Sequence, residues 1–407
     1  MKKFNNIELI KSTDIIFGII LLIAIVTLFS PLISYTLCII AFWLYGSSMA
    51  PRERSITAIL FSISFALIIC SRSYALRETD DFANYYDDYI NIALNSATFS
   101  QILKEYSLGL EFGLPLLFYI LSVIFPILTP AQLLFFLSFF VSLLFSFWLI
   151  KYGCIEFEKT NDTGFIIALS LTLFSLSIGS QLIRQGFSSV ILLYALSLNR
   201  IDARYGLLLV STAFHLTAFP LFVIIRLLIR YGWKAHIALT PLVFFAFLSF
   251  NLVLTAFQDF PKFAYYAGTE LGEISDTDIG TLKWLLIGVL FSALGVFTSR
   301  KIFISIDKKA LGGLPFVFFF VILFICFMQY PLLPTRITML FSLILLGYFT
   351  AIFVLKSRLY FLKPLSLFSL LFFKLYTFFP DPTSDDRFLW SNYDWIGIMP
   401  GYYLINY

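Results

Sequence analysis

Two arginines, one histidine and a few carboxylates are the residues of this chain placed to do chemistry. Arg184 stands in Ser180-Gln181-Leu182-Ile183-Arg184-Gln185-Gly186, and Arg336 follows Pro331-Leu332-Leu333-Pro334-Thr335. Both border long apolar stretches, where an ionised side chain is costly and marks a functional site by default. A guanidinium presents forked donors that match phosphate oxygens in bidentate geometry. Two of them on one side of a membrane suit the diphosphate of a lipid carrier, with Gln185 beside the first. The bland readings are snorkelling to lipid phosphate or pairing with a structural carboxylate. Function is the favoured reading for Arg184, and the two are closer for Arg336. His215 lies near the middle of the apolar stretch 205–225, with Pro220 five residues later. Proline removes a helical hydrogen bond and bends the helix. Two readings weigh equally: two short helices meeting at His215, or a straight, kinked span holding a hydrogen-bonded histidine.

Carboxylates and aromatic rings gather in three segments. Residues 72–112 hold Asp81, Tyr85, Tyr86 and Glu111; 258–282 hold Tyr265 and Tyr266; the tail 380–407 holds Trp390, Tyr393 and Asp394. Rings stack on the apolar faces of a pyranose, and carboxylates accept its hydroxyl hydrogen bonds. Tyr and Trp also form ordinary interfacial belts, so this mixture favours carbohydrate only weakly. Two histidines and four scattered cysteines without CxxC spacing exclude a His/Cys metal centre or a disulfide framework. No G-x-x-x-x-G-K-[ST] element occurs, and no basic block suggests nucleic acid.

The elements that must carry these residues are membrane helices. Of 407 residues, 60% are hydrophobic and 13% charged, against roughly 25% charged in a soluble protein. Mean hydropathy is +0.91. The chain therefore reads as one all-α membrane domain, 1–407. Apolar stretches long enough to cross the bilayer fall at 15–30, 32–49, 56–71, 131–150, 164–183, 184–200, 236–257, 283–299, 312–329, 337–355 and 364–379. With the ambiguous pair 113–128 and 205–225 the count is about 11–13 spans. Lys2, Lys3 and Lys11 precede the first span and no small-residue cleavage site follows, so it reads as a retained span.

Charge arbitrates the ambiguous pair. If both stretches leave and return on one side, 19 basic residues fall inside and 8 outside; if both cross, the split is 16 against 11. The first arrangement obeys the positive-inside rule better. Either way the N-terminus is inside and the C-terminus outside. The net charge of +4 then hides an inner surface of +11 and an outer surface of −8.

Several of these residues form a pattern. Asp81-Phe82-Ala83-Asn84-Tyr85-Tyr86 is followed by Glu111-Phe112-Gly113-Leu114-Pro115-Leu116. Next come Ile183-Arg184-Gln185-Gly186-Phe187-Ser188 and, about 30 residues on, Phe214-His215-Leu216-Thr217-Ala218. Tyr265, Tyr266 and a late Arg336 complete it. In this order and spacing, over about 70–340, the chain resembles the EpsG/Wzy group of bacterial polysaccharide polymerases. It departs from the group by carrying Leu216 where Lys or Thr often follows the histidine.

The resemblance implies a GT-C-like glycosyltransferase of the inner membrane. It would join undecaprenyl-diphosphate-linked oligosaccharide repeat units at the outer face, passing the growing chain to a new unit and releasing undecaprenyl diphosphate. Arg184, Arg336 and Gln185 would hold the diphosphate. His215, Glu111 and Asp81 are rival bases or sugar ligands, and Tyr85, Tyr86, Tyr265 and Tyr266 would face sugars. No cofactor or metal is implied. Membrane lipids and a chain-length-regulating membrane protein are the further partners. The rivals are a flippase or transporter, which would show an internal repeat, and an O-antigen ligase, whose chemistry sits in a late outer loop. Neither feature is present. A membrane acyltransferase fits the isolated His215 poorly.

Overall fold

The computed structural model describes residues 2–70, 81–94, 100–101, 111–158, 162–256, 276–298, 313–357 and 359–376. Every regular element among them is helical. Much of the expected outer loop 72–112, nearly all of 258–282 up to 275, and the tail from 377 lie outside these residues.

Among the described residues, five helices are long and apolar enough to cross a membrane: Pro51–Cys70, Pro130–Gly153, Trp233–Phe250, Asp278–Thr298 and Leu333–Lys356; five shorter apolar helices accompany them. The protein is a multi-pass helical membrane protein. The chain separates into two compact units, Met1–Leu216 with Pro364–Tyr407, and Thr217–Lys363.

In the first unit, α1 (Lys2–Phe29), α2 (Pro31–Tyr45) and α3 (Pro51–Cys70) pack on one another. Ser30 caps α2 by accepting the Ile33 N–H, and Pro31 suits the first helical turn. Helix α4 (Asp81–Leu94) lies against α5 (Gly113–Ile124), and α6 (Pro130–Trp148) lies along α3. A full capping box starts α6, with Thr129 and Gln132 bonding each other's backbone. Then come α7 (Thr163–Thr172), the short α8 (Leu176–Ser180), α9 (Ile183–Ser197) and α10 (Ile201–Phe214). The unit is closed by α17 (Leu362–Tyr376), whose Phe368 meets the Trp43 ring edge-on at 5.0 Å.

One expected span is not continuous. The stretch 164–183 ends as a helix at Thr172 and restarts at Leu176. Ser175 is extended, and its hydroxyl accepts the Ser177 N–H, which caps the new helix. A broken backbone at this depth must find partners for its freed groups. The Phe174 carbonyl finds one in the buried Lys374 Nζ of α17, at 3.2 Å. The Phe174 ring is fully buried against Phe145 and Phe65.

The ambiguous stretches are also short helices. α5 has 12 residues, about 18 Å at 1.5 Å per residue, well under the ~30 Å hydrocarbon core. The stretch 205–225 is broken at His215, the C-cap of α10, whose backbone is extended. Arg54 at the start of α3 pairs with Glu158 at 3.2 Å, and its Nε–H donates to Gly46 O. Ser47 Oγ accepts the Gly164 N–H, and a Cβ on Gly164 would overlap the Phe42 carbonyl. Residues 46–54 and 151–158 therefore share one end of the unit.

The second unit begins with α11 (Ala218–Tyr231), α12 (Trp233–Ala256) and α13 (Asp276–Thr298). It continues with α14 (Leu314–Cys326), α15 (Leu333–Met339), a π-helical stretch Leu340–Leu345 and α16 (Leu346–Lys356). α13 packs along α16, and α12 along α14.

Candidate functional site

The site is built where four pieces of the first unit meet: α4, the residues before α5, the start of α9 and the end of α10. α9 and α10 form a hairpin joined by Leu198–Arg200. Two serines zip it: Ser211 Oγ donates to Ser188 O at 2.7 Å, and Ser188 Oγ donates to Ser211 O at 2.9 Å. Phe187 stacks on Phe214 at 5.2 Å. With 14 residues, α10 climbs back beside α9, so His215 arrives level with Gln185. Their Nε2 atoms lie 3.2 Å apart, and Gln185 Oε1 is buried without a hydrogen-bond partner.

Arg184 is the second residue of α9. The first in-helix backbone bond is Gly186 N–H to Leu182 O, so the N–H groups of Ile183, Arg184 and Gln185 carry the open, positive end of the helix. The Arg184 guanidinium adds a full charge there. Nε–H donates to Tyr85 Oη at 3.3 Å, and Cζ lies 5.3 Å from the centre of that ring. Nη1 pairs with Glu111 Oε2 at 3.4 Å. Nη2 makes no hydrogen bond among the described residues. The Arg184 side chain is 36% exposed and the Glu111 side chain 6%. The arginine is thus fastened from below and open above.

Glu111 does a second job. Its Oε1 accepts the Leu216 N–H at 3.1 Å, so one buried carboxylate ties the chain just past His215 to Arg184. The approach is close: a Cβ on Gly113 would stand 2.8 Å from the Phe214 ring and 2.9 Å from Phe214 N. Only glycine fits there without displacement.

α4 supplies the remaining wall. Asp81, Tyr85 and Asp88, spaced i, i+4 and i+7, share one face. Asp81 and Asp88 both lie within the field of Arg184. Tyr86 Oη donates to Leu128 O, and Tyr89 Oη accepts the Leu128 N–H. These two hydroxyls dock α4 on the segment leading into α6. Burial pushes the Asp88 carboxyl up to about 6, Arg184 opposing the rise and Asp87 adding to it.

Of the residues singled out by sequence, the structure gathers Arg184, Gln185, His215, Glu111 and Tyr85, with Asp81 near them and Tyr86 one position along α4. Tyr265 and Tyr266 lie outside the described residues. Arg336 belongs to the second unit. There Asp278 is fully buried. It accepts the Leu332 N–H at 2.6 Å, the Thr335 N–H at 3.3 Å and the Thr335 hydroxyl at 2.6 Å. Leu332 is held left-handed at φ 64°, so this carboxylate fixes the turn that starts the helix of Arg336.

Sequence reasoning missed three contributors: the Leu216 N–H, Gly113 and Asp88. The first is a main-chain group, which residue type does not reveal. Gly113 had a weak signal in its place beside Glu111. Asp88 had one in its spacing from Asp81 and Tyr85. Among the described residues no group of His, Cys, Asp and Glu is placed to hold a metal ion.

The fold and site define a multi-pass helical membrane protein with an arginine–carboxylate centre at one end of its first unit. The chain belongs to the EpsG family, which is linked to exopolysaccharide synthesis; the match covers residues 56–395. No curated protein and no solved structure matches it.

Proposed function

We propose that this protein is a polysaccharide polymerase: a membrane glycosyltransferase acting on undecaprenyl-diphosphate-linked oligosaccharides at the outer face of the bacterial inner membrane. One observation carries the reading. Arg184 stands at the positive end of α9, held by Tyr85 and the buried Glu111, with Nη2 uncommitted. That is a rigid, half-open receptor for an anion.

In the proposed reaction the growing chain is the donor. The acceptor hydroxyl of a new unit attacks the anomeric carbon, and the bond from that carbon to the diphosphate oxygen breaks. Undecaprenyl diphosphate leaves with the bonding electrons. Preorganised donors stabilise such developing charge best in a site screened from water, typically by 10²–10³ in rate per donor. Arg184 and the open N–H groups of α9 supply them. Gln185 and His215 line the same end of the hairpin and contact phosphate or the acceptor sugar. Tyr85 supports the arginine, and its ring edge borders the sugar.

The test is polymer formation from purified lipid-linked repeat units. Arg184→Ala is expected to lower the rate at least about 100-fold while the protein still inserts and folds. Normal long chains from that variant would sink the proposal. Arg336→Ala in the same assay tests the second arginine independently. If the wild type moves lipid-linked units across vesicles without lengthening them, the flippase reading replaces this one. Transfer to lipid A-core instead marks a ligase.

A further inference from the structure

The carboxylates around Arg184 are not equivalent. Glu111 is buried and both its oxygens are engaged, one by Arg184 and one by the Leu216 N–H. Its lone pairs are committed to holding the site together. His215 Nε2 is met by the Gln185 amide. Asp88 differs from both. It is half-buried, lies on the same face of α4 as Tyr85, feels the charge of Arg184, and makes no hydrogen bond or ion pair among the described residues. A carboxylate within the field of the site arginine, with no hydrogen bond to its oxygens among the described residues, is suited to receive a proton.

We propose that Asp88 is the proton acceptor for the attacking sugar hydroxyl, an inference that rests on the polymerase reading above. The step balances. The hydroxyl proton goes to an Asp88 oxygen as the hydroxyl oxygen forms its bond to the anomeric carbon. The electrons of the breaking bond leave on the diphosphate, beside Arg184. The proton is then lost to water, which restores the carboxylate.

The surroundings suit the task. A general base works best when its pKa lies near the working pH. The charged groups that act on Asp88 are Arg184 of α9 and Asp87 of its own helix; Tyr85 and Asp81 of α4 and Glu111 before α5 act in turn on Arg184. Burial is the largest influence and raises the carboxyl to about 6. At pH 7 Asp88 is mostly ionised, and it is more basic than an exposed aspartate.

The experiment follows polymer formation by purified full-length protein from lipid-linked repeat units between pH 5 and 8. Wild-type kcat/KM should fall as pH drops below about 6. Asp88→Asn should lose about 100-fold or more in kcat, keep its affinity for undecaprenyl diphosphate, and show no acid limb. Asp87→Asn removes a neighbouring negative charge, so it should move the limb to lower pH while turnover continues. An Asp88→Asn enzyme with at least a third of wild-type kcat and an unchanged limb overturns the assignment. So does loss of undecaprenyl diphosphate binding in that variant, which marks a structural role. A wild type that makes no polymer fails the underlying reading instead, and the assignment falls with it.

Discussion

Arg184 and Glu111 meet at 3.4 Å although 73 residues separate them in the chain. The carboxylate is buried and the arginine is open on one side. The same carboxylate accepts a main-chain N–H from Leu216, the residue after His215. Glu111 therefore acts as a tie between the two most distinctive sequence elements, and the charge it holds in place is Arg184.

Truncating both partners should cost less than the sum of the two single truncations. Glu111→Ala removes the acceptor of the part-buried Leu216 N–H and leaves Arg184 without its anchor, at about 1–3 kcal/mol. Arg184→Ala leaves a buried carboxylate without its ion pair. The double variant should show a coupling of about 0.5–3 kcal/mol. Thermal unfolding in detergent of the four proteins measures it, and strict additivity would show that the pair carries no net energy.

Gly113→Ala should loosen the tie without touching its atoms. The new methyl group would press on the Phe214 ring and backbone, and overpacking of this kind costs about 1–3 kcal/mol. Polymer formation should fall with stability, because Leu216 is pushed away from Glu111. Gly113→Ala with wild-type melting and turnover would mean that α10 adjusts freely.

In the second unit, Asp278→Ala should destabilise more than an average buried polar change. It removes the acceptor for two N–H groups and one hydroxyl, each worth about 0.5–1.5 kcal/mol net. Leu332→Gly should act in the opposite direction, since glycine adopts the left-handed backbone at φ 64° without steric cost. Melting temperatures of both variants decide the point.

A cysteine at the exposed position Glu156, in a background without the native cysteines, should react only with reagent applied from the cytoplasmic side. The Arg54–Glu158 pair places this segment beside residues 46–54, and the basic excess marks that side as inner. Labelling from outside would reverse the orientation.

Much of this was legible in the sequence. Apolar runs near 20 residues with few charges require helices, because backbone groups in lipid must bond within their own segment. The Pro and His of 205–225 left a break and a kinked span equally open, and Arg184 stood out as a charge bordering long apolar stretches. Other features needed the fold. The run 164–183 is apolar throughout, and its break depends on Ser175 and on a lysine about 200 residues away. Tyr86 resembled a sugar contact by type, yet its hydroxyl docks α4 on Leu128.

The sequence alone determined that the chain lives in lipid, and it singled out Arg184 and His215 as the residues to watch. Composition and period carry those facts, and both are local properties. Tertiary structure decided which carboxylate does what. Glu111, Asp81 and Asp88 are alike as residue types, but burial and hydrogen bonding separate them. Glu111 spends both oxygens on long-range partners, and Asp88 lies within the field of Arg184 with no hydrogen bond among the described residues. Such contacts join residues 73 and 105 positions apart, and no local pattern encodes them.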